Sequence, residues 1–72
     1  MSGITPAQHR ALTFIRQYVA ANGYSPTFRE IAGGVGVKSS SEAHRLVHGL
    51  VDRGSVKLLP RRARSIELVR AA

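Results

Sequence analysis

Within ten residues, from position 39 to position 48, the chain places Ser39, Ser41, His44, Arg45 and His48. These hydroxyl, imidazole and guanidinium groups all donate or accept hydrogen bonds. A second concentration follows in Pro60-Arg61-Arg62-Ala63-Arg64, three guanidiniums in one short stretch. Each is a rigid fork of donors suited to phosphate oxygens or to the O6/N7 edge of guanine. Covalent chemistry is a poor fit to the same residues. His44 and His48 stand at i, i+4, a spacing a metal could bridge, but the H-E-x-x-H pattern needs a glutamate directly after its first histidine and Arg45 stands there. No third metal ligand is evident. The serines at 39–41 fit a helix cap, with no base or oxyanion donor beside them. Gly33-Gly34 has no strand before it and no Gly-Lys-Ser/Thr after it, so it is not a phosphate-cradling loop. No catalytic residue, no metal, no cofactor and no small-molecule substrate is expected. What remains is non-covalent recognition.

The charge names the kind of partner. Eleven Lys+Arg against four Asp+Glu give a formal charge of +7 on 72 residues, which favours a polyanion. Arg10, Arg16 and Arg29 against Glu30 leave the first half at +2, while the second half, from Val37 on, carries +5. The partner-facing surface is therefore expected in the second half. Seventy-two residues suffice for one small core, so residues 1–72 are read as a single domain. With no cysteine, that core must come from the 43% hydrophobic residues alone. Apolar runs are far shorter than the roughly 20 residues of a membrane span, and none follows the N-terminus as a signal peptide requires. The expected setting is the cytoplasm, without membrane association.

Three helices and a hairpin must position these groups. Thr5-Pro6-Ala7-Gln8 is a capping box with proline at the first helical position. Ala11, Leu12, Ile15, Tyr18 and Val19 continue it at helical spacing to Asn22, and Gly23 ends it. Thr27-Phe28-Arg29-Glu30 repeats the box for a short second helix with Ile31, Ala32 and Val35 inward and Gly36 as its stop. Its Gly33-Gly34 weakens the helix and marks either close approach of another backbone or a frayed last turn. Ser39-Ser40-Ser41-Glu42 offers a third box, with Ser39 or Ser41 as the cap. Ala43, Leu46, Val47, Leu50 and Val51 then form an apolar stripe that Gly54 closes. Val56 and Leu58 alternate with Lys57, and Ile66 and Leu68 alternate with Ser65 and Glu67, the pattern of two half-buried strands around the arginine-rich tip.

Helix, short helix, turn, helix and basic hairpin is the order of a winged helix-turn-helix, an α+β, mainly α class with three helices followed by a two-stranded antiparallel hairpin. In that arrangement the third helix enters the major groove of double-stranded DNA with its N-terminal residues against base edges. Ser39, Ser41, His44 and Arg45 are the expected base readers. Thr27, Lys38, His48 and Arg53 are expected on the backbone, with Arg61, Arg62 and Arg64 as the wing contacts. A protein-interaction module and a sequence-independent DNA coat are the competing readings, and salt dependence with a specific-to-random affinity ratio separates all three.

Over residues 4 to 69 the chain resembles the N-terminal DNA-binding domain of the LexA repressor family. The match rests on Thr5 with Gln8, Gly23-Tyr24-Ser25-Pro26-Thr27, Arg29-Glu30-Ile31-Ala32 with Gly36, Ser39, Leu46 and Leu50, Arg53-Gly54, and Arg64-Ser65-Ile66-Glu67-Leu68. The resemblance implies a transcriptional repressor that reads repeated half-sites in promoters of DNA-damage-response (SOS) genes of a bacterium or phage, a second copy occupying the adjacent half-site. In that family this domain is followed by a self-cleavage site and a Ser-Lys dyad domain with the dimer interface, which have no counterpart in these 72 residues. His44-Arg45 fills positions that are acidic in some relatives, so the half-site is expected to differ from theirs. Ser55 stands where an apolar residue is common.

Overall fold

A computed structural model of the chain describes residues 5–60 and 64–69. Thr5 opens the first helix, α1 (Pro6–Asn22), by the reciprocal box its sequence implies. Its hydroxyl accepts from the Gln8 amide at 3.1 Å, and Gln8 Oε1 accepts from the Thr5 amide at 3.1 Å. Thr27 does the same for α2 (Phe28–Val35), with the Glu30 amide donating to its hydroxyl at 3.1 Å and its own amide donating to Glu30 Oε1 at 2.8 Å. These boxes satisfy amides that a helix start otherwise leaves without partners.

The turn from α2 into α3 (Ser40–Asp52) depends on Gly36, whose φ of 86° lies in the left-handed region where a Cβ is strained. There the Gly36 and Val37 amides both reach the Ala32 carbonyl, at 2.9 and 3.0 Å. Ser39 is the α3 cap, but only half of the expected third box forms. Its hydroxyl accepts from the Glu42 amide at 3.4 Å, while the Glu42 carboxylate lies 3.8 Å from Arg45 Nη1 instead of returning to the cap. At the far end the Gly54 and Ser55 amides close on Val51 and Leu50 carbonyls, a Schellman ending that turns the chain into the hairpin.

Strands β1 (Val56–Leu58) and β2 (Ile66–Leu68) pair antiparallel with Val56 opposite Leu68, Lys57 opposite Glu67 and Leu58 opposite Ile66. Val56 and Ile66 turn into the core, Lys57 and Glu67 face water, and the oppositely charged pair sits directly across the ladder. Ser55, half-buried, leaves the burial of the strand to begin at Val56.

Ile15, Ile31, Val47, Leu50 and Val56 are fully buried and draw one residue or more from each helix and from the hairpin. Each such side chain contributes about 1.5–3 kcal/mol on leaving water. Ala11 and Ala43, with no exposure at all, let the helices approach closely. No helix among the described residues is long and apolar enough to cross a membrane.

Three expectations are corrected. Ser65, expected outward, is 8% exposed, because it precedes β2 at the end of the tip, where its carbonyl accepts from the Leu59 amide at 2.7 Å. Tyr18 is half-buried and not a core residue, since its hydroxyl is held by Arg64. Gly34 faces no backbone: a Cβ there would overlap the Phe14 ring, whereas one at Gly33 would meet nothing within 4 Å.

Candidate nucleic-acid interface

With Ala43, Val47 and Leu50 fixed in the core, the opposite side of α3 is determined by the 100° step of the helix. Ser41, His44, Arg45 and His48 fall on it at i, i+3, i+4 and i+7, and all four are exposed. The Arg45 side chain is 83% exposed and approaches the Glu42 carboxylate at 3.8 Å. At that exposure and distance the pairing is weak and leaves the guanidinium able to turn outward. Ser39 caps the same end of the helix and Lys38 stands exposed in the turn just before it.

Aromatic contacts tie this face to α2. The Phe28 and His44 rings stack with centroids 4.0 Å apart at 22°, and His44 stacks on His48 at 5.0 Å and 23°. Thr27, beside Phe28, has its hydroxyl engaged as an acceptor in its box and keeps a proton to donate.

Arg64 is directed toward the helices. Its Nη1 donates to Glu30 Oε1 at 2.8 Å, to the Ser25 carbonyl at 3.0 Å and to the Tyr18 hydroxyl at 3.2 Å, while Nη2 reaches Glu30 Oε2 at 3.2 Å. The guanidinium carbon also lies 4.7 Å from the Tyr24 ring centre, a cation–π contact that gives the half-exposed Tyr24 a partner. The Arg64 hydrogen bond, followed by the Thr27 amide, pulls the Glu30 carboxyl from 4.5 down to about 2. Glu30 in return raises the already high Arg64 value, so the pair stays charged. More than a third of each side chain still faces water, so solvent screening limits the Coulombic part.

Set against the sequence, the structure gathers Lys38, Ser39, Ser41, His44, Arg45 and His48 at one end and face of α3. Arg53 is exposed at the other end, about 20 Å along the axis from Ser39 at 1.5 Å per residue. Arg61 and Arg62 lie outside the described residues. Arg64 occupies the hairpin as expected, with Nη1 and Nη2 bonded to the body of the protein. Sequence reasoning missed Phe28, Tyr18, Tyr24 and Glu30 as site partners. Phe28 at the first position of α2 stood out there only as part of a capping box, and no local signal joins it to His44.

A tight helix-turn-helix whose third helix turns a polar, cationic face to solvent, backed by an antiparallel hairpin, is a winged helix-turn-helix domain. Within that class the comparison is specific. The sequence profile of the LexA DNA binding domain matches residues 1–65, and the chain belongs to that family. It is 45% identical over 67 residues to the LexA repressors of Rhodospirillum rubrum and Magnetococcus marinus, and 42% identical to that of Novosphingobium aromaticivorans. In each case 93% of this chain is covered, against 27 to 29% of the relative, so the chain spans less than a third of the curated proteins it matches.

Proposed function

We propose that this domain binds double-stranded DNA sequence-specifically, as the reading head of a LexA-type transcriptional repressor. The observation that carries the reading is the shared exposed face of Ser41, His44, Arg45 and His48 immediately behind the helix-turn-helix turn. That is the helix end which enters the major groove in this class. Ser39, Ser41, His44 and Arg45 read base edges. Thr27, Lys38, His48 and Arg53 hold phosphates, and Arg61 and Arg62 extend the contact along the flanking backbone. Arg64 braces the hairpin against α1 and α2 through its hydrogen bonds to Glu30, Ser25 and Tyr18. Residues 1–72 act as one domain, a second copy takes an adjacent half-site, and the controlled promoters are those of DNA-damage-response genes on the bacterial chromosome in the cytoplasm. Reading of this kind makes and breaks no covalent bond.

Selection of bound duplexes from a random pool tests the reading. The expected result is a short half-site bound at least about a thousandfold more tightly than random DNA, with affinity falling steeply as salt rises. Equal affinity for every sequence, or no binding, would defeat it.

A further inference from the structure

The exposed face of α3 carries one arrangement that groove entry alone does not require, the ring stack that begins on the other helix. Phe28 is the first residue of α2, and its ring lies against that of His44 at 4.0 Å and 22°. His48, one turn further along α3, stacks on His44 at 5.0 Å and 23°. The face that Phe28 covers is closed to a base, while the ring edge bears Nδ1 and Nε2 and donates or accepts in the ring plane. The contact with Phe28 survives either charge state of the imidazole, as aromatic stacking when neutral and as a cation–π contact when protonated. Holding the ring in the free protein also removes part of the ordering cost that a mobile reader pays on binding.

We propose that Phe28 is a positioning residue for base recognition: by stacking on His44 it fixes that imidazole edge-outward, so that His44 reads its base pair by hydrogen bond to an acceptor such as purine N7. This rests on the DNA-reading assignment above, and it adds a residue from outside the reading helix to the determinants of specificity. Phe28 itself need touch no DNA.

The test uses the full 72-residue chain and the same random-duplex selection. His44→Ala first identifies the base pair that His44 reads. Phe28→Leu keeps an apolar side chain of similar bulk but no ring, and is expected to lose about five- to tenfold of the preference at that one pair, the scale of a single hydrogen bond. Its affinity for random DNA should stay within about twofold. Phe28→Tyr restores the ring and should restore the preference. The ring-current signature in the proton spectrum gives an independent reading: the upfield shift of the His44 ring protons should be similar in wild type and Phe28→Tyr and smaller in Phe28→Leu, where only His48 still stacks on it. Should Phe28→Leu fail to fold, Phe28→Met takes its place, with the same loss expected at that pair. Full preference retained at that pair by the ringless variant overturns the proposal, as does an equal loss on every sequence. A wild-type protein that enriches no sequence at all would instead overturn the DNA-reading assignment, and this inference with it.

Discussion

Arg45 and Arg64 are the same side chain put to opposite uses. Arg45, 83% exposed on the reading face, can present its fork to guanine O6 and N7. Arg45→Ala is expected to cost about 1–3 kcal/mol on the preferred operator and relax one base pair, with little change on random DNA or in melting temperature. Equal losses on both DNAs would make it a phosphate contact. Arg64 is instead bonded to Glu30, Ser25 and Tyr18, and the consequence for stability can be read from pH. Because the Glu30 carboxyl is lowered to about 2 in the folded state, its contribution is complete above the ordinary 4.5 and is lost as pH falls from there toward 2. The melting temperature should decline through that window, and Glu30→Gln, less stable at neutral pH, should lack that part of the decline. Identical acid profiles for the two proteins would place the sensitivity in another carboxylate.

Among the elements, α2 offers the sharpest check on packing. Its two neighbouring glycines have different surroundings, open space at Gly33 and the Phe14 ring at Gly34. Alanine at Gly33 should stabilise by about 0.5–1 kcal/mol through helix propensity. Alanine at Gly34 should destabilise by about 1 kcal/mol, the gain in propensity being outweighed by the displaced ring. Thermal melts giving both changes the same sign would contradict this placement of Phe14. The contrast also marks how far the sequence could be read. Caps at Thr5, Thr27 and Ser39 were legible because each is completed within three residues, and the strands because burial alternates along them. The exposed set on α3 followed from the same periodicity. Contacts between elements left no such trace: Phe28 and His44 are 16 positions apart on different helices, Glu30 and Arg64 34 apart. Which of two glycines meets Phe14, or whether Ser65 turns inward, is settled by how the helices and hairpin pack. The half-formed box at Ser39 shows that even a local pattern can make one of its two hydrogen bonds without the other.

At the scale of the whole molecule, the apolar side chains are largely consumed internally. Among the described residues the large hydrophobics left exposed are Tyr24 and Val69, and Tyr24 already covers Arg64. A stable interface needs about 800 Å² from each partner, much of it apolar. This chain should therefore sediment as a monomer, with two copies associating only on DNA that carries two half-sites; a dimer in the absence of DNA would contradict this. The Arg64–Glu30 bridge has a consequence of another kind, in time. It joins the hairpin to α2 across 34 residues, enclosing the whole of α3. Closing so long a loop costs entropy before the contact repays it, which favours formation after the helices have packed. A bond absent from the transition state leaves the folding rate unchanged and slows only the reverse step. Arg64→Ala should accordingly raise the unfolding arm of the chevron and leave the refolding arm where it is, a refolding rate that falls in step being the contrary result. The guanidinium then sets how long the folded reader lasts, while the helices alone set how quickly it forms.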